Sequence, residues 1–268
     1  MRLMRVQWFA AVAACAFVSL AVSAGGADAV TVLRTLGQEN AAPKFVRGSS
    51  SGGTGATTGF CVDALRAIER VSRKLRFVGE DRLLPAGQIE NALAVGQIDV
   101  ACGFARNDAR AARFLLLEPA LFNARYVLAV RADDPVSVSS LDDVRELGEQ
   151  GVILGVHGLS VMSNLAREGG LRIDNAGITP EANLHKLLLG RGRFFFYRSP
   201  GMRAVIQDAG LVGKVRVLPG TIFTTKLYML VSKNLPQETL DELQRAIGEL
   251  SRSGELGRIY ERWGEQEK

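Results

Sequence analysis

Histidine and cysteine are the scarcest chemistry-bearing residues of this chain. Its 268 residues include only His157, His185, Cys15, Cys61 and Cys102. No CxxC and no histidine-cysteine spacing suited to metal ligation occurs, so a metal site is not expected. Glycine-rich phosphate loops and dinucleotide fingerprints are missing as well, and no cofactor is expected. The sequence offers no nucleophile, base and orienter set, which argues against an enzyme. A dense basic run is also lacking: 33 lysines and arginines are scattered against 28 aspartates and glutamates. Nucleic acid is therefore not an expected partner. Beyond residue 29 no apolar run is long enough to span a bilayer.

The first 29 residues have a different character. Arg2 and Arg5 precede an apolar stretch from Trp8 to Val22, and small residues follow. This is the pattern of a secretory signal, and both Val22-Ser23-Ala24 and Ala27-Asp28-Ala29 fit its cleavage site. Cleavage after Ala29 is preferred. Val12-Ala13-Ala14-Cys15 also resembles a lipoprotein box, which would make Cys15 a lipidated anchor, but the apolar stretch runs on past it and favours ordinary cleavage. The remaining chain keeps a net charge of +4 once Arg2, Arg5 and Asp28 are gone, and is expected in the periplasm. That compartment permits disulfides. Cys61 should begin a helix and Cys102 should end a strand near the same sheet edge. A bridge and two buried free thiols fit equally, because spacing does not give a Cα separation.

Strand and helix patterns then alternate. Thr31–Leu36, Leu75–Val78 and Ile98–Phe104 read as strands, with helices over Cys61–Lys74 and Ala86–Val95. Gly48–Thr58, GSSSGGTGATT, has the composition of a flexible surface loop. Tyr126–Arg131 is a further strand, and Asp133-Asp134-Pro135 breaks the chain. A second alternating set follows: strands at Val152–Val156, Phe194–Tyr197, Val215–Leu218 and Lys226–Ser232, with helices at Ser160–Glu168, Asn183–Leu189, Gly201–Ala209 and Gln237–Trp263. The order implies two α/β lobes of sheet flanked by helices, with the chain crossing near Arg131 and returning near Thr225. Clefts between such lobes are the usual place for small ligands.

The turn after Ile98–Phe104 carries the clearest chemistry. Asn107 is a good N-cap, and Asp108 complements the positive end of the helix dipole. Arg110 in the same first turn opposes that dipole and needs a compensating partner, which an anionic ligand would supply. The other reading makes Arg106, Arg110 and Arg113 solvated surface arginines.

Several short motifs occur in an order that resembles the family 3 extracellular solute-binding proteins, the amino-acid-binding group of ABC importers. They are Gly59-Phe60-Cys61-Val62-Asp63, Gly96-Gln97-Ile98-Asp99, Asn107-Asp108-Ala109-Arg110, Leu116-Leu117-Glu118-Pro119-Ala120, and Gly254-Glu255-Leu256 through Arg262-Trp263-Gly264. The resemblance implies a type II periplasmic-binding-protein fold: two lobes, each a mixed, mostly parallel sheet flanked by helices, joined by two hinge strands. Lobe 1 would be residues 30–130 with 226–268, and lobe 2 residues 131–225. It puts Arg110 on a ligand carboxylate, with Asn107 beside it and Ser160 of Gly158-Leu159-Ser160 offering a hydroxyl from the other lobe. N-capping is the alternative role of Ser160. Phe45 and Phe104 would be aromatic walls, or else core residues.

One departure bears on the ligand. Where the family has an aspartate that pairs with a ligand ammonium, this chain has Arg198, or Tyr197 after a one-residue slip. An arginine there repels an amine and attracts a second anion, so the implied solute is a small carboxylate-bearing anion. The implied partner is an ABC permease or a sensor receptor in the inner membrane, with the binding protein a monomer. A few relatives of this fold are dehydratases, for which Glu118 is the carboxylate nearest the arginine turn.

Overall fold

The computed structural model describes residues 29–50, 53–159 and 161–265. Residues 1–28, which hold Cys15 and all but the last residue of the expected export signal (1–29), and Ser160, the expected hydroxyl donor, lie outside the described residues. The first half contains strands β1 (Thr31–Arg34), β2 (Gly37–Gln38), β3 (Val46–Ser50) and β4 (Gly53–Thr58), then helix α1 (Phe60–Val71), β5 (Leu75–Val78), β6 (Leu83–Leu84), α2 (Ala86–Ala94), β7 (Val100–Ala105) and α3 (Asp108–Arg113). The long strand β8 (Leu115–Arg131) leads into α4 (Leu141–Glu146), β9 (Ile153–Val156), α5 (Met162–Arg167), β10 (Ile173–Gly177), α6 (Pro180–Leu188), β11 (Phe194–Arg198), α7 (Met202–Asp208) and β12 (Val215–Val217). β13 (Phe223–Val231) returns the chain to helices α8 (Gln237–Arg252) and α9 (Glu255–Glu265).

One seven-stranded mixed sheet runs through the molecule in the order β10-β9-β11-β8-β13-β7, with β12 also paired to β8. Its outer β10, β9 and β11 are parallel, whereas the ladders made by β8 and β13 are antiparallel. β8 changes partners along its length. Leu115–Leu117 and Phe122–Tyr126 pair with β13, while Tyr126–Ala129 pairs with β11 and Ala129–Arg131 with β12. The two strands therefore tie both halves into one hydrogen-bonded ribbon.

Continuous apolar runs explain the inner strands. Every residue of β7, VACGFA, and of β11, FFFYR, is buried, the pattern of strands covered on both faces. Phe194, Phe195 and Phe196 are all core residues, and Phe196 stacks on Tyr126 at 4.8 Å. α1 is amphipathic and buries Phe60, Cys61, Ala64, Leu65, Ala67 and Ile68 at helical spacing. Phe60, Phe122 and Tyr260 form an aromatic cluster under it, with centroids 4.8–5.7 Å apart. Trp263 Nε1 donates to Asp63 Oδ2 at 2.8 Å and clips α9 onto α1.

The stretch read as a flexible loop, Gly48–Thr58, is instead the antiparallel hairpin β3–β4. Gly48 and Gly55 face each other across it, and a Cβ on Gly48 would come within 2.6 Å of the Ala56 carbonyl oxygen. The glycines serve close cross-strand approach, which composition alone reads as mobility. The break at Asp133-Asp134 also has a structural role: Asp134 is buried and takes a two-pronged contact from Arg193 at 2.9 Å on each oxygen, which holds its carboxyl below the usual range.

Candidate functional site

The arginine turn forms as the residues suggest. Asn107 caps α3 through Oδ1, which accepts from the Arg110 backbone N–H at 2.8 Å. The Arg110 side chain is buried, and its counter-ion belongs to the protein. Nε and Nη2 donate to Glu90 Oε1 of α2 at 3.2 and 2.9 Å, and Nη1 donates to the Ala105 carbonyl at 3.0 Å. The partner that a first-turn cation requires is thus Glu90, a residue the sequence reading passed over on the far side of the preceding helix. Arg106 and Glu118 form a half-exposed ion pair at 3.1 Å, so Glu118 is a surface carboxylate.

Phe104 and Phe45 are both buried, and their rings carry cations. Lys44 Nζ lies 4.3 Å from the Phe104 centroid and 5.7 Å from that of Phe45, and Arg110 Cζ is 5.4 Å from Phe104. Sequence reasoning missed Lys44 altogether. A lone charge inside Ala41-Ala42-Pro43-Lys44-Phe45-Val46 was the available signal, because an apolar segment buries what it carries. Lys44 Nζ donates to Gln38 Oε1 at 2.6 Å and to the Gly103 carbonyl at 2.8 Å. Burial, together with the Arg198 and Arg110 guanidiniums, pushes its ammonium well below the ordinary lysine range, although Glu90 pulls the other way.

Arg198 and Tyr197 reach the same segment from the other half. Tyr197 Oη and Arg198 Nη2 both donate to the Ala42 carbonyl, at 2.7 and 2.9 Å. Arg198 Nη2 also meets Tyr197 Oη at 3.1 Å. Further contacts cross between the halves: Asn107 Nδ2 to Ser163 Oγ at 3.4 Å and Arg167 to Asp108 at 3.6 Å. Ala42, Phe45, Arg47, Glu181, Tyr197 and Asp208 are among the residues lining a cavity of about 380 Å³ beside this junction, whose wall includes neither Lys44 nor Arg198. The structure thus brings together Phe45, Phe104, Asn107, Arg110, Tyr197 and Arg198, and adds Lys44, Gln38 and Glu90. Among the described residues no group of three or more metal-ligating side chains occurs.

A glycine permits the tightest approach between the halves. Gly201 has φ 110°, and a Cβ there would come within 2.6 Å of Pro43 Cδ and 3.0 Å of the Ala42 oxygen. Gly201→Ala combines backbone strain of about 1–2 kcal/mol with a wedge at this contact. The expected result is a Tm several degrees lower and a radius of gyration, by small-angle scattering, larger than that of the wild type. An unchanged scattering profile would mean that the halves do not meet at Gly201.

Two halves tied by a paired ribbon do not by themselves name a family, and a family comparison decides the matter. The profile of the bacterial extracellular solute-binding proteins, family 3, matches residues 36–266. This chain belongs to that family. Solved family-type structures superpose on it at low identity. The probable amino-acid ABC transporter extracellular-binding protein ytmK from Bacillus subtilis aligns with 16% identity and a TM-score of 0.69, covering 88% of this chain and 99% of that one. A histidine kinase sensor domain with similarity to periplasmic binding proteins aligns with 21% identity and a TM-score of 0.66, over 88% and 97% of the two chains. The ancestral amino acid-binding protein AncCDT-1, a precursor of cyclohexadienyl dehydratase, aligns with 18% identity and a TM-score of 0.64, over 87% and 95%. No curated protein matches the chain. The likeness to these structures supports the two-lobed type II fold of this family 3 protein.

Proposed function

We propose that this family 3 protein is a periplasmic solute-binding protein that encloses a small carboxylate-bearing anion between its lobes and presents the closed form to an ABC importer. The observation that carries the reading is the charge at the junction. Lys44, Arg110 and Arg198 are all buried there, and Glu90 pairs with Arg110 and faces Lys44. A solute touching both halves stabilises only the closed arrangement, which couples capture to recognition by a membrane partner. The closing bodies are residues 30–130 with 226–268 and residues 131–225, and the protein acts as a monomer without a cofactor.

The sensor neighbour favours a second reading, in which the same closed form is handed to a receptor. Catalysis on the dehydratase pattern gains little support, since Glu118 is tied to Arg106 at the surface and Glu90 is tied to Arg110. The test is thermal unfolding of refolded, ligand-stripped protein against amino acids, dicarboxylates, keto acids and short peptides. A solute at a hundred times its Kd adds about 2.7 kcal/mol to stability. Stabilisation by a carboxylate-bearing anion is expected, and a panel without any stabilising solute refutes the reading.

A further inference from the structure

Lys44 and Arg198 are buried cations without a carboxylate of their own. They are 2% and 3% exposed. The hydrogen-bond acceptors of Lys44 are an amide and a carbonyl, and those of Arg198 are the Ala42 carbonyl and the Tyr197 and Tyr126 hydroxyls, all neutral. Tyr126 and Tyr260 also surround Arg198, and burial raises both phenols, Tyr126 to about 12, so these groups stay uncharged. Arg198 Nε is fully buried and has no hydrogen-bond partner. Glu90, the carboxylate within reach of this cluster, is already shared with Arg110. Glu90 is thus taken up by Arg110, no carboxylate faces the Arg198 guanidinium, and an anion beside Lys44 would restore the ammonium that burial disfavours. A buried guanidinium with an unused donor is among the costliest arrangements a fold can keep, unless a ligand completes it.

We infer that Lys44 and Arg198 form an anion subsite, and that the solute is an amine-free dianion, a dicarboxylate of four or five carbons. One carboxylate meets Arg198 Nε and the Lys44 ammonium, and the other lies toward the Asn107–Arg110 turn. The inference rests on the binding-protein reading above and names its solute class. Lys44 belongs to the segment after β2 and Arg198 ends β11, so an anion held by both fastens the two halves together. An ammonium placed beside these charges is repelled, which separates dicarboxylates from the corresponding amino acids.

Calorimetric titration of the disulfide-intact, ligand-stripped protein with succinate, glutarate and 2-oxoglutarate, against glutamate, glutamine and arginine, tests this. Dicarboxylates should bind at least tenfold more tightly than any of the amino acids. Arg198→Met and Lys44→Met should each weaken dicarboxylate binding at least a hundredfold, and Arg198→Lys should recover part of it. The ligand-free Tm of Arg198→Met should equal or exceed that of the wild type, because the Ala42 carbonyl keeps its bond from Tyr197 while an uncompensated charge is gone. A clear fall in that Tm would make Arg198 a structural residue and overturn the subsite. Amino acids binding as tightly as dicarboxylates would overturn the subsite and leave the binding-protein reading standing. Silence from the whole panel would overturn both.

Discussion

Arg110→Ala is expected to lose about 3 kcal/mol of folding stability, and roughly 6–12 °C in Tm, before any solute is added. The cause is Glu90. Removing the guanidinium strands a carboxylate that is only 15% exposed, and it also removes the bond from Arg110 Nη1 to the Ala105 carbonyl. Breaking such a pair costs more than forming it gains, since the surviving charge stays desolvated. A loss of solute binding in this variant would therefore mix damage to the fold with damage to the site. Glu90→Gln separates the two. The amide keeps one hydrogen bond to Arg110 and releases the guanidinium charge, so anion affinity should rise several-fold if Arg110 touches the solute and stay constant if it does not. Chemical denaturation of both variants with and without a dicarboxylate makes the comparison. An Arg110→Ala protein as stable as the wild type would mean that the Glu90 pair contributes nothing.

Removing the Cys61–Cys102 bridge carries the other large effect. The two Cα atoms are 5.9 Å apart and 41 residues separate the cysteines in sequence. Closing a loop of that length restricts the unfolded chain by about 4 kcal/mol in the chain-entropy account, so the double alanine variant should melt roughly 10 °C below the wild type. The bridge joins the first turn of α1 to β7, one residue before Gly103. Gly103 has φ 78°, its carbonyl holds Lys44 Nζ, and a Cβ on it would strike both Lys44 Cε and Cys61 Sγ. Loss of the bridge should therefore also loosen Lys44 and weaken solute binding. Melting curves with and without a thiol reductant, paired with a thiol count, read out the first effect. Full reduction with an unchanged Tm would show that the bridge adds no stability.

Much of this architecture was legible because its signals are local. β5 falls on the residues the pattern indicates, and α2, β9, β11 and α7 differ only at their ends. Asn107 caps α3 because an Asx side chain before a helix reaches the N3 amide wherever the rest of the chain goes. Long-range pairing was not legible. Only the end of β8, Tyr126–Arg131, stood out, because the preceding Leu115–Arg125 mixes Glu118, Pro119, Asn123 and Arg125 into its apolar pattern. The antiparallel ladder with β13 makes that stretch a strand. β10 escaped for the same reason, its sequence IDNAG having little strand propensity of its own. The arginine turn was readable as a place needing an anion. That Glu90 supplies one, and that the buried basic groups without a carboxylate bond are Lys44 and Arg198, depends on helix packing across residues distant in sequence. The cysteine pairing likewise needed a Cα distance that spacing cannot give.

The ribbon of β8 and β13 bears on the mechanics of the protein. A joint made of loose linkers turns freely, and its resting angle is whatever the last collision left. Here the crossing strands are hydrogen-bonded to each other, from Leu115 opposite Val231 to Tyr126 opposite Phe223. Any opening must twist a ladder that already has a preferred right-handed twist. In the closing motion proposed above, the connection acts as a torsion spring, whose rest position and stiffness are written into the residues of two strands. Substitutions along that ribbon, far from any solute, would retune how wide the empty protein gapes and how quickly it springs shut.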